Sequence, residues 1–114
     1  MSLVVVEAQI VVDAARRDEL VAESAPVQQA TRDEEPGCLV YCFAADPTLA
    51  DRIQVYELWE SEDALHEHFA HPNYTRMLQL LASGGLVAAE SRKHRVDATA
   101  EIYGPDGAPS GHFA

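Results

Sequence analysis

The 114-residue chain sets eight Lys and Arg against nineteen Asp and Glu, a formal net charge of −11. That length suits one domain, and the negative field excludes phosphate backbones and anionic membrane surfaces as natural partners, so neither nucleic acid nor a membrane is expected. The opening apolar run is interrupted by Glu7 and Gln9, and its basic residues follow the run, so it reads as neither a signal peptide nor a membrane span, and a cytoplasmic protein is expected.

In residues 3–12 the alternate set Val4, Val6, Ala8, Ile10 and Val12 is wholly apolar, the pattern of a strand with one buried face. Asp13 can cap a helix running to about Arg32, on which Leu20, Ser24, Val27 and Thr31 share a narrow face. Pro26 removes a backbone hydrogen bond inside that helix and is expected to kink or split it. The turn Glu-Glu-Pro-Gly at residues 34–37 leads into a strand over residues 38–46, whose two faces, Cys38, Val40, Cys42 and Leu39, Tyr41, Phe43, are both apolar. One layer of helices covers a single side of a sheet, so the other side needs different cover, and a second copy of the sheet is the economical choice.

Residues 52–60 alternate Ile53, Val55, Glu57 and Trp59 against Gln54, Tyr56 and Leu58. Ser61 can cap a second helix with Glu62 and Asp63 in its first turn and Leu65, His68 and Phe69 facing inward. His71-Pro72 breaks this helix. Pro72 suits the first position of another, on which Tyr74, Met77, Leu78 and Leu81 fall at i, i+3, i+4 and i+7 spacing, and Gly84 or Gly85 supplies a left-handed cap. A last strand from Leu86 to about Val96, with an extension to Tyr103 left open, carries Arg92, Lys93, His94 and Arg95 on alternating sides. The order βαββαβ predicts an α+β, ferredoxin-like domain over residues 1–103, a four-stranded antiparallel sheet with helices on one face, followed by a flexible tail over residues 104–114.

Cys38 and Cys42, on one extended strand, stand about 13 Å apart, too far for a disulfide, and read as small apolar fillers. The cluster His66, His68 and His71 invites a metal, but residues two apart on a helix point to different sides, so His66 and His68 cannot chelate one ion, and no metal site is expected. Trp59 is either an aromatic wall for a flat ligand or a large core residue at a strand end. His68 is either a base for a phenolic proton or a buried helix-face histidine bonded to a backbone carbonyl. Tyr41, Tyr56 and Tyr74 can bring hydroxyls to a cleft, and Met77 and Leu78 can line it or serve as plain core. Arg92 and His94 share one face of the last strand, where they can hold an anionic ligand or pair with carboxylates such as Glu90.

The segments "EPGCLVY" and "VYELWESEDALHEHFAHPNY", with Glu57, Trp59, Ser61, Ala64, Leu65 and His68 in characteristic spacing, resemble the antibiotic biosynthesis monooxygenase family over about Val4 to Val96. That resemblance implies a dimeric α+β barrel, a homodimer packed through its sheet faces, with an apolar cleft between each sheet and its helices. It implies a cofactor-independent monooxygenase acting on a small phenolic, quinol or polyketide-like aromatic molecule. Under it Trp59 stacks on the substrate and His68 acts as base, while Tyr41, Tyr56, Tyr74, Met77 and Arg92 bind and orient the substrate, with no flavin or metal. The same fold also serves isomerases and non-catalytic ligand-binding or stress-associated dimers. The sequence departs from the family in three places. Ala8, His68 and Leu78 stand at the positions of the haem-degrading branch's site, which disfavours that branch; the polyketide oxygenases carry an Asn beside the strand Trp, whereas the same-face neighbours of Trp59 are Val55 and Glu57; and Asn73 replaces a common His. A cavity shared by Trp59, His68 and Tyr74 would favour a reactive site over a filled interior.

Overall fold

A computed structural model describes residues 2–113. Its elements are β1 (Val4–Val11), α1 (Arg17–Glu34), β2 (Cys38–Ala45), β3 (Arg52–Trp59), α2 (Glu62–Phe69), α3 (Pro72–Ser83) and β4 (Ala88–Arg95). The strands form one antiparallel sheet in the order β2-β3-β1-β4, and the helices lie on one face of it, the ferredoxin-like arrangement expected. No helix among the described residues is long and apolar enough to cross a membrane.

Alternation decides which side chains enter the core. Ile53, Val55, Glu57 and Trp59 of β3 are all buried against the helices, opposite Tyr41 and Phe43 of β2 and Val4 and Ile10 of β1. A register shift between Cys38 and Val40 breaks the expected pattern of β2: Leu39 stands out at the irregularity, 51% exposed, instead of sharing the buried face of Tyr41 and Phe43.

Helix α1 starts later than Asp13. That carboxylate accepts from Ala15 N–H at 2.9 Å and closes a turn ahead of the helix, whose N-cap is Arg16. Pro26 does not split α1, which continues as one segment to Glu34, since a single missing N–H costs one bond while Leu20, Ser24, Val27, Gln28 and Thr31 stay anchored in the core. Ser61 caps α2 by accepting from Ala64 N–H at 3.1 Å, and Pro72 opens α3 as the sequence suggests. Gly85, at φ +75°, is the left-handed residue after α3.

Helix α1 also tends the outer edge of the sheet. Gln28 donates to Phe43 C=O at 3.1 Å and accepts Phe43 N–H at 3.0 Å, while Arg32 donates to Tyr41 C=O through Nε and Nη2 at 2.8 and 2.6 Å. Arg17 Nη1 reaches the carbonyls of Asp46, Leu49 and Arg52, holding the β2–β3 turn. Strand β4 pairs only with β1, and its residues are exposed. Beyond it, Ser110 N–H bonds Ile102 C=O and Gly104 N–H bonds Ala108 C=O, closing a small exposed hairpin bridged between Tyr103 and Pro109.

Candidate active site

Between the sheet and helices α2 and α3 lies a cavity of about 190 Å³. Its floor is apolar, with Val6, Ala8 and Ile10 from β1, Phe43 from β2 and Val55 from β3, and its roof is Phe69, Met77, Leu78 and Leu81. Into this surface project the polar side chains of Tyr41, Glu57, His68, Tyr74 and Ser91. A mostly apolar pocket with a few convergent polar groups is the usual form of a small-molecule site.

His68 is carried by α2, fully buried, and held from behind. Its Nδ1 lies 2.7 Å from Oε1 of Glu35, the C-cap residue that follows α1. Glu35 is itself buried, and its other oxygen accepts from Asn73 Nδ2 at 3.2 Å. With both oxygens accepting, the carboxylate fixes the proton on Nδ1 and leaves Nε2 as the nitrogen available to the cavity. His71 Nδ1 is 3.8 Å from Glu35 but already accepts from Asn73 N–H, so it adds no third donor. Burial holds the His68 imidazole below its ordinary value, and the bond to and charge of Glu35 work the other way. The result is a buried imidazole oriented by a carboxylate at its Nδ1 side.

Aromatic rings pack round it. The His68 ring lies 4.6 Å from that of Trp59 and 5.5 Å from those of Tyr41 and Tyr74. Trp59 is 1% exposed and does not line the cavity; it sits behind His68, and its Nε1–H donates to Oε1 of Glu57 at 2.9 Å. The expected stacking wall therefore lies outside this cavity, since the inward position at the end of β3 carries it past the cavity floor.

Tyr41, Tyr74 and Met77 do line the cavity with His68. Burial pushes the Tyr41 phenol far up, with the Glu57 and Glu35 charges adding, so it is a neutral hydroxyl. Tyr56 and Arg92 are not brought there. Each is one residue out of phase with the cavity-lining Val55, Glu57 and Ser91, so alternation sends it to the opposite sheet face. Tyr56 is 45% exposed, and Arg92 and His94 each lie 3.5 Å from Glu7, the partner on the neighbouring strand that they take instead of Glu90. The Cys38 thiol is pushed up to about 11, chiefly by burial, which favours the protonated thiol near neutral pH.

Two acidic residues complete the site that residue-type reasoning did not single out. Glu35 was legible only as part of a turn. Glu57 carried a signal, a carboxylate on an otherwise apolar alternating face, because a buried Glu is rare unless it has a partner or a task. Burial pushes its carboxyl up to about 7; the bond from Trp59 opposes this and the Glu35 charge adds to it.

Comparison with known proteins agrees with the fold. Solved structures that superpose include a candidate antibiotic biosynthesis monooxygenase from Caulobacter crescentus CB15, 24% identical, TM-score 0.76, covering 87% of this chain and 92% of that one. A similar candidate from Deinococcus radiodurans is 24% identical, TM-score 0.73, covering 89% and 99%. A Bacteroides thetaiotaomicron protein of unknown function, a possible oxidoreductase, is 16% identical, TM-score 0.73, covering 83% and 98%. No functionally curated protein matches the sequence. The family model for antibiotic biosynthesis monooxygenases matches residues 3–80, most of the chain and every cavity-lining residue except Leu81, Ala89 and Ser91, so the protein belongs to the antibiotic biosynthesis monooxygenase family.

Proposed function

We propose that the protein is a cofactor-independent monooxygenase of a small phenolic or quinol-like molecule. The observation that carries this reading is the imidazole of His68 on the wall of an apolar cavity, tied through Nδ1 to buried Glu35. Nε2 takes the proton of a bound phenol or its keto tautomer, and Glu35 stabilises the imidazolium that results. The electron-rich anion reduces O₂ by one electron, the radical pair joins at the activated carbon as a hydroperoxide, and loss of water leaves a carbonyl. In that sequence a CH₂ and O₂ become C=O and H₂O, and the substrate supplies all the electrons. Tyr74 and Tyr41 orient the substrate, Met77 covers it, and Trp59 acts as a positioning residue, packing against the base.

Oxygen uptake with a panel of anthrones and hydroquinones tests the reading. His68→Gln, which keeps the side chain's approximate volume and its bond to Glu35, should lower turnover at least about a hundredfold, the range of a lost general base. No uptake across the panel, or equal rates in the two proteins, counts against it. A second reading draws on Glu57 and His68 sharing the cavity: one acid and one base can shuttle a proton within a substrate, as an isomerase does. Such activity would persist without oxygen.

The proposed working unit is a homodimer joined through the helix-free sheet face, where Val5, Val40, Tyr56 and Leu58 are only partly covered. Light scattering should return twice the chain mass, and Tyr56→Glu, which places a charge in the centre of that face, should shift it to one chain. A wild-type monomer at micromolar concentration rules the arrangement out.

A further inference from the structure

Among the described residues Glu57 is the one carboxyl group on the cavity wall, and nothing in the base mechanism uses it. Trp59 fixes one of its oxygens, Oε1, from within the core. Among the described residues Oε2 takes no side-chain hydrogen bond, and Glu57 lines the same cavity as His68. Around it stand Tyr41 across the β2–β3 ladder and Val6 across the β1–β3 ladder, and among the described residues no Lys or Arg lines the cavity. A carboxylate here would face apolar walls, a buried neighbouring Glu35 and no cation, whereas a carboxylic acid would present one O–H to the cavity.

We infer that Glu57, in its protonated form, donates a hydrogen bond to a carbonyl oxygen of the ligand, and so selects phenols conjugated to a carbonyl group. The inference rests on the reading of His68 as the base. Removal of the phenolic proton by Nε2 spreads charge through the ring to the carbonyl oxygen, where the Glu57 O–H strengthens as an anion-stabilising donor. Trp59 is then the shared support: its ring packs on the base and its N–H aims the acid.

A matched pair of probes tests this. 6-Hydroxy-1-tetralone carries a phenol conjugated to a carbonyl; 5,6,7,8-tetrahydro-2-naphthol has the same skeleton without the carbonyl. Quenching of Trp59, the sole tryptophan and adjacent to both groups, reports binding. The wild type should prefer the tetralone by about tenfold or more, the worth of a hydrogen bond to a charged group. Glu57→Gln, whose amide accepts from Trp59 and still donates to the ligand, should keep that preference. Glu57→Leu should erase it while still binding the naphthol. No preference in the wild type, no binding of either probe, or a Gln variant as indifferent as the Leu variant overturns the inference. The last outcome would mean that Glu57 works as an anion. Oxygen uptake separates this from the parent reading: a preserved preference without uptake removes the oxygenase and leaves Glu57 its role, while uptake without preference does the reverse.

Discussion

Glu35→Leu should lower the free energy of unfolding by about 2–5 kcal/mol, the cost of leaving two buried donors without an acceptor. His68 Nδ1 and Asn73 Nδ2, on two different helices, both terminate on this carboxylate, and all three residues are buried. The substitution therefore unties α2 and α3 from the end of α1. Against a typical domain stability of 5–15 kcal/mol that is a large fraction. Glu35→Gln offers a sharper comparison, because its carbonyl can still accept from His68 while its amide opposes the Asn73 donor. It should lose less stability than the Leu variant yet still lose turnover, since a neutral amide does not stabilise an imidazolium. Urea unfolding of the three proteins decides the matter; a Leu variant within 0.5 kcal/mol of wild type, the scatter of ordinary surface substitutions, would show that Glu35 is not a tie between helices.

Glu57→Gln should stabilise the protein, increasingly so as the pH rises. The carboxyl titrates near 4.5 in a free chain and at about 7 in the fold. A raised folded value means that the native state holds its proton more tightly than the unfolded state. The protein is thus favoured below about 4.5 and loses stability as pH climbs towards 7, where the loss levels off. That gap is worth about 3 kcal/mol at most. Glutamine has no proton to lose, so the difference between variant and wild type should open across this window and stay constant above it. His68, whose value is lowered, moves wild-type stability in the opposite sense within the same range, but it is present in both proteins and largely cancels from their difference. A difference that is flat from pH 5 to 8, or that shrinks, contradicts the placement of Glu57.

The frame of the molecule is local in origin and was legible. Ser61, Pro72 and the alternation of Ile53, Val55, Glu57 and Trp59 each act within a few residues, and each element they predict is present. The candidate site was legible in part. His68, Tyr41, Tyr74 and Met77 meet because their faces are set by the periods of strand and helix, which sequence records directly. Tyr56 and Arg92 belong to the opposite face by that same period, and a chemical reading of tyrosine and arginine overrode it. Trp59 was placed near His68 in space, but sequence carries no record of which side of a ring meets a cavity. The tie between Glu35 and His68 joins residues 33 apart, a distance that only the closed fold makes short.

The two edges of the sheet differ in a way that bears on how molecules associate. Along β2, the side chains of Gln28 and Arg32 already occupy Tyr41 C=O and both backbone groups of Phe43, and Arg17 takes Asp46 C=O. An incoming strand finds these sites filled. Along β4 no helix makes that provision. Growth by strand addition needs two receptive edges on every unit, and this sheet has one. Two copies that met through β4 would make a single wider sheet closed at both ends, so such pairing terminates at two chains instead of propagating into fibres.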